Sequence, residues 1–427
     1  MILLSCCVTL FLYEVTLKSL AVLLPTLKDQ FETYTWVIGT MISLLTSVRD
    51  LTGPIVGILA SNINNRVLGM LGGIVIGVST VCASFGYSVY VLSLLLSVIN
   101  GISFALLLVP GYALLAQYFD THYSLAIGIV YASASLGLMA APPVAQLLLD
   151  TYGWRGTLLI IGGINCHLIL SGSLLRHQQQ VDSSITATES LQNTYSPLSH
   201  TSDDCEAFGW QSNSLKSSTF DRINAFMKFS GLDLFANLSF LATSVISTSM
   251  TALFTGWIVY FIPHCLAKGL TPFEAAFLAT ASGFSNLIGH VIYVPLLSNN
   301  LISLRGGLYF SGIVATVALL ADRYTSTVTT VFISNMMLLL AIGIEYPLCD
   351  VYMKSIVEPN SLAKAYGWRM GLSGLVRIIP GFVLGWIYDH TGNYDAGFTF
   401  LGAIQAVGVL AIAADHMRLK IAGETIS

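Results

Sequence analysis

Long apolar runs separated by short polar connectors dominate the pattern of this chain. A helix crosses the ~30 Å hydrocarbon core of a bilayer in about 20 apolar residues. Twelve such runs can be read: 2–24, 36–59, 67–87, 90–116, 124–148, 157–175, 234–263, 273–297, 304–321, 326–348, 362–387 and 397–414. Most connectors are short, such as SNINNR (61–66) and FDTHY (119–123). One is long and polar, residues 176–228, rich in Ser, Thr, Gln and Asn, with DSSITATES and SHTSDDCE inside it. Such a segment buries too little apolar surface to offset the entropy of ordering it, so a disordered linker is expected. The pattern predicts an all-α membrane protein: an N-terminal six-helix bundle over 1–176, a cytoplasmic linker over 177–228, a C-terminal six-helix bundle over 229–420 and a cytoplasmic tail over 421–427.

Composition supports the bilayer. The 427 residues are 55% hydrophobic and only 9% charged, with mean hydropathy +0.76. Soluble chains carry about 25% charged residues, and so few charges cannot cover a water-exposed surface of this size. The net charge of −4 argues against a nucleic-acid partner. The seven cysteines show neither a disulfide framework nor metal-ligand spacing; Cys6 and Cys7 are weak candidates for acylation at a membrane face. No cleavable signal is expected, because no basic segment precedes the first run and further spans follow it.

Cations orient the spans. With both termini and the long loop cytoplasmic, eleven Lys/Arg lie inside, among them Arg66, Arg176, Arg305, Lys354 and Arg369. Four lie outside (Lys28, Arg155, Lys268, Arg323) and three within spans (Lys18, Arg49, Arg377). That bias follows the positive-inside rule. A repeat is also legible. A shift of 237 residues aligns Pro110 with Pro347, Ser124-Leu125-Ala126 with Ser361-Leu362-Ala363, Gly137-Leu138 with Gly374-Leu375, and Pro143 with Pro380. It maps span n onto span n+6 in the same orientation. That is a parallel repeat about an axis along the membrane normal, as in the major facilitator fold, with a substrate site between the halves near the midplane.

Charges within spans carry the candidate chemistry. A central charge costs roughly 2.5–3.5 kcal/mol on insertion scales, so Glu14 and Lys18 must pair or face a wet cavity. Being four apart, they share a helix face. They are either a substrate or proton site or a self-neutralising pair. Arg49 and Asp50 are neighbours, pointing about 100° apart on a helix. They are therefore expected to pair with other helices rather than simply with each other, in a structural charge network or at the substrate. Arg377 is a candidate anion binder, or else a partner of Glu345 or Asp350. Asn286 and His290 are again four apart. His290 is either a hydrogen-bonded core residue or a proton relay, since imidazole titrates near neutrality. There is no P-loop, no G-x-S-x-G and no zinc spacing, so neither an enzyme nor a cofactor or metal is expected, and transport would be driven by gradients. The sequon at Asn237 begins a span on the cytoplasmic side, where glycosylation is not expected.

Three stretches resemble the monocarboxylate transporter family. YFDTHYSLAIGIVYASASLGLMAAPPVAQLLLDTYGWRGTLLIIGG (118–163) is similar to its signature from the fourth loop to the sixth span. GPIVGILASNINNRVLGMLGG (53–73) resembles its second-to-third-span loop, and LGWIYDHTGNYDAGFTFLGA (384–403) its eleventh-to-twelfth turn. By this resemblance Lys18 matches a first-span lysine implicated in proton and substrate handling. An eighth-span Asp and carboxylate-binding Arg of lactate-type members are replaced here by Asn286 and His290. A titratable group thus stands for a fixed cation. This departs from strict proton–lactate symport and is similar to divergent members, some of which carry amino acids, thyroid hormone, creatine or carnitine. The family's Asp-Gly-x-Trp motif at the head of the first span is absent.

The resemblance implies a plasma-membrane secondary transporter working by alternating access on a small organic acid. Protons and a single-span immunoglobulin-type ancillary protein are implied partners. The rival expectations are facilitated diffusion of a neutral or zwitterionic solute, or a sensor that binds a solute without moving it.

Overall fold

The computed structural model describes residues 1–119, 122–175, 231–299, 301–358 and 361–421. The expected linker and all of the tail beyond residue 421 lie outside the described residues. Every regular element among the described residues is helical. The rods are α1 (Ile2–Gln30), α2 (Thr35–Asn62), α3 (Asn65–Ala83) and α4 (Val89–Tyr118). Then come α5 (123–152) and α6 (154–173), the two arms of one long segment. The second half holds α7 (Leu238–Ala267), α8 (Pro272–Ser298), α9 (Leu304–Asp322), α10 (Val328–Ile356), α11 (Leu362–Thr391) and α12 (Asp395–Ile421). Within α4, Ser93–Ile99 winds as a π-helix. Among the described residues, ten stretches are long and apolar enough to cross a membrane, with Tyr123–Ser173 counted once. α2, with Arg49 and Asp50 at its centre, is not among them.

The segment of 51 residues from Tyr123 to Ser173 would be about 75 Å long as one rod, far beyond a bilayer core. It turns at Gly153, whose φ of 66° favours glycine. Contacts along α1 establish the reversal. Ser133 on the first arm donates to the Cys7 carbonyl (3.0 Å), and Gly137 faces Phe11 and Glu14, so this arm runs parallel to α1. On the second arm, Asn165 meets Thr16 and Ser171 meets Ser5, so this arm runs antiparallel. The two sequence spans therefore emerge as predicted, joined by a glycine hinge instead of a loop.

Helices overrun the apolar runs that predict them. α1 continues past Pro25 to Gln30, and α10 continues to Ile356, which draws Asp350 into the rod. Hydropathy marks where a helix stays greasy; hydrogen bonding carries it further. The Asn237 side chain, read as part of a sequon, caps α7 by accepting from the amides of Ser239 and Phe240.

Around a largely apolar core, many large apolar side chains face outward while several charges are buried. Leu71, Val78, Phe310, Val317 and Leu410 are exposed, while Glu14, Lys18, Arg49, Asp50, Asp350, Arg369 and Arg377 are buried. The halves meet through two antiparallel crossings. α2 lies on α11, from Trp36 against Asp389 through Ser47 donating to the Gly374 carbonyl (2.7 Å) to Pro54 against Gly367. α5 lies on α8, from Gly128 against Tyr293 through Ser135 donating to Asn286 (2.8 Å) to Met139 against Gly283. Adding six to each rod number turns α2 into α8 and α5 into α11, so one crossing maps onto the other. A two-fold relation between halves has this consequence, as the 237-residue repeat predicts.

Small residues set the closest approaches. A Cβ built on Gly69 of α3 would lie 2.8 Å from the Cα of Gly172 on α6. Gly172→Ala is expected to lower stability by about 1–3 kcal/mol through overpacking, read as a lower Tm in detergent. Gly163→Ala, on the same rod with open space around it, is expected to leave Tm unchanged.

Candidate functional site

A cavity of about 140 Å³ lies between the halves. Its lining comes from α1, α2, α4, α5, α7, α8, α10 and α11, and from none of α3, α6, α9 and α12. The contributing set maps onto itself under the repeat. The cavity is eccentric. It reaches Gly57 and Ala60 near the end of α2 and Tyr366 and Gly367 near the start of α11, while the opposite ends of those rods contribute nothing to its wall.

Its polar wall has two ion clusters. In the first, Arg49 Nε donates to Asp50 Oδ1 (2.7 Å), and Arg377 Nε lies 2.7 Å from Asp50 Oδ2. Arg377 Nη1 also donates to Thr255 (2.9 Å), and the Arg49 guanidinium sits 4.4 Å from the centre of the Tyr13 ring. Two cations thus share one carboxylate across the α2–α11 crossing. The expectation for Arg49 and Asp50 is corrected in one part and met in the other: the neighbours do pair, and Asp50 also takes a partner from another helix, Arg377. The 100° offset applies at Cβ, and an arginine has enough torsions to bend its head back to its neighbour. The expected Arg377 partners are corrected as well: neither Glu345 nor Asp350 pairs with it, and Asp50 does.

In the second cluster, Arg369 Nη2 donates to Asp350 (2.6 Å), and Tyr131 from the other half donates to the same carboxylate (2.7 Å). The charge bias groups Arg369 with the cytoplasmic cations; folded, it faces the cavity. The spacing Arg369, Ser373, Arg377 places all three on the cavity wall, one helical turn apart each time. That spacing was a usable signal.

Glu14, Asn286 and His290 also line the cavity. Asn286 accepts from Ser135 and donates to the Leu339 carbonyl (3.1 Å), bridging α5, α8 and α10. His290 stacks on Tyr131 at 5.5 Å, and its Nδ1 has no hydrogen-bond partner. Lys18 is fully buried away from the cavity wall. It donates to the Ile258 carbonyl (3.1 Å) and lies 4.3 Å from the centre of the Trp257 ring, fastening α1 to α7. No ion pair within 4.0 Å joins it to Glu14, although the two opposite charges still act on each other across one helical turn. Glu345 also sits off the cavity, with both oxygens accepting from Gln405 (2.8 and 3.1 Å). At the far end of α7, His264 and Lys268 both reach Asp322 (2.7 and 3.2 Å). Here the lysine ammonium supplies the positive charge that a metal ion could otherwise supply to this carboxylate and imidazole.

Comparison with known proteins agrees with this geometry. The family model "Major Facilitator Superfamily" matches residues 6–305. The chain is 28% identical to monocarboxylate transporter 12 of Mus musculus over 372 residues, covering 84% of this chain and 73% of that protein. It is 26% identical to monocarboxylate transporter 2 of Rattus norvegicus over 390 residues (88% and 74%). It is also 26% identical to monocarboxylate transporter 13 of Rattus norvegicus over 406 residues (92% and 83%). In fold it is similar to the crystal structure of a POT family transporter in complex with a thioalcohol-conjugated peptide, with TM-score 0.71 at 14% identity over 98% of this chain and 96% of the other. A chain whose described elements are all helical, with charges buried between two related halves and matched over most of its length by that family model, belongs to the Major Facilitator Superfamily and is an integral multi-pass membrane protein.

Proposed function

We propose that this secondary transporter moves a small carboxylate-bearing organic solute by alternating access of its two halves. The observation that carries the reading is the Arg49–Asp50–Arg377 cluster, which leaves one positive charge over on the cavity wall. Each guanidinium has five N–H donors, and the single carboxylate of Asp50 cannot occupy both sets. A solute carboxylate completes them with charge-assisted hydrogen bonds. Because α2 and α11 belong to different halves, an anion held there senses both and is carried as they rock about it. The cation bias in the sequence supports cytoplasmic termini.

His290 supports a proton role. Its Nδ1 is buried without a partner, in a cavity that also admits the anion. The test is counterflow in proteoliposomes. Labelled butyrate is expected to exchange saturably with unlabelled butyrate, and an inward proton gradient is expected to accelerate net uptake. Binding without exchange would leave a sensor instead of a transporter. Indifference to the gradient would remove the proton role. His290→Ala is expected to blunt the pH response or anion affinity by about tenfold, and Arg155→Ala, beside Trp154 and Tyr87, to change neither. Equal effects of the two variants would misplace the site.

A further inference from the structure

Two rods outside the cavity wall, α3 and α9, correspond under the repeat. Both turn apolar side chains outward, Leu71 and Val78 on one, Phe310 and Val317 on the other. In a bilayer these faces meet lipid tails. Each rod has 19 residues and carries an arginine as its second residue, Arg66 and Arg305. On the orientation that the cation bias supports, both arginines stand at the cytoplasmic headgroup level, where acidic lipids concentrate.

Neither arginine has a counter-charge. Both are half-buried, and neither forms an ion pair among the described residues. Arg66 Nε and Arg305 Nη2 are enclosed without a hydrogen-bond acceptor. Arg305 Nε donates to the Tyr352 hydroxyl (2.8 Å), which donates in turn to Asp415 (3.1 Å). That acid is already matched, because Arg418 lies 2.9 Å from it. No acidic residue stands in the first turn of either helix. The N-terminal end of a helix macrodipole is positive, so it favours an anion and does not offset a cation. A hydrated arginine at a membrane face would keep its whole head in water, and an enclosed nitrogen without an acceptor does not fit that. A phosphate fits better, since its oxygens meet a guanidinium fork two at a time.

We infer that Arg66 and Arg305 form two repeat-related sites for the phosphate of an acidic phospholipid in the cytoplasmic leaflet. They lie on rods that do not line the cavity, so the inference stands apart from what is carried.

Native mass spectrometry of the full chain in detergent tests it. The wild type is expected to bind two copies of phosphatidylserine about tenfold more tightly than phosphatidylcholine. Arg66→Gln and Arg305→Gln are each expected to remove one tight copy, and the double variant to bring phosphatidylserine to the phosphatidylcholine level. Arg66→Lys and Arg305→Lys keep the charge without the fork and are expected to weaken binding by a smaller factor. Arg323→Gln, at the opposite membrane face, is expected to change nothing. The inference is overturned if phosphatidylserine binds no more tightly than phosphatidylcholine, or if the double variant binds it as the wild type does. Loss of a copy in only one single variant would overturn the pairing of the sites. Inorganic phosphate distinguishes the source. It is expected not to displace the lipid; if it occupies both sites equally well, they hold a soluble anion and the lipid assignment fails.

Discussion

Asp50→Asn is expected to destabilise the protein by about 3–5 kcal/mol, because it strands two buried guanidiniums without their shared anion. Asp50 is almost wholly enclosed and accepts from Arg49 on one oxygen while facing Arg377 on the other. The readout is a large fall in Tm in detergent, with loss of inserted protein. Arg377→Gln separates folding from binding. It leaves Arg49 and Asp50 as a balanced pair, so Tm is expected to change little. It removes the surplus charge, and carboxylate affinity is expected to fall about tenfold to a hundredfold, the range of a charge-assisted hydrogen bond. The double variant Asp50→Asn with Arg377→Gln returns the cluster to a single net cation. Its Tm is expected to recover part of the loss, whereas the lost pairing with Asp50 leaves uptake impaired. If Asp50→Asn is as stable as wild type, the cluster is not the electrostatic tie described here.

Asp350→Asn is expected to have the next largest effect. It deprives Arg369 of its only ion pair among the described residues (2.6 Å) and weakens the hydrogen bond from Tyr131 (2.7 Å). The stability loss is again about 3–5 kcal/mol. Tyr131→Phe isolates the link between halves, because it removes one neutral-donor bond and keeps the ion pair. A stability change of about 1 kcal/mol is expected. A larger change is expected in exchange rate, since Tyr131 on α5 and Asp350 on α10 must part if that end of the cavity opens further. A Tyr131→Phe protein with unaltered exchange rate would show that this contact does not restrain the motion.

Much of the architecture was legible before any coordinates. The apolar runs read as helices because every backbone group must be satisfied inside lipid, which leaves helices as the available element. Glu14, Arg49, Asp50, Asn286, His290 and Arg377 stood out for a related reason: a polar group in an apolar span is costly unless something receives it. Cost alone names no partner. Lys18 and Glu345 carried the same signal, yet one is fastened to the Ile258 carbonyl and the other to Gln405. Arg369 carried a weaker signal, because it lay close to a span's edge and was counted with the cations of a membrane face. The overrun of α10 past residue 348 brought Asp350 into its rod, and the cavity's extension toward the start of α11 put Arg369 on its wall.

Chain composition and periodicity thus set the kind of solvent, the kind of element, the repeat and the short list of expensive residues, because those depend on local transfer energies and on spacing along one helix. Packing decided the pairings. Which carboxylate meets which guanidinium, which lysine is tied off, and which acid remains unpartnered beside a cavity depend on groups from rods distant in sequence. Long side chains reach several candidate partners at similar local cost, and only the assembled α1, α2, α7 and α11 choose among them.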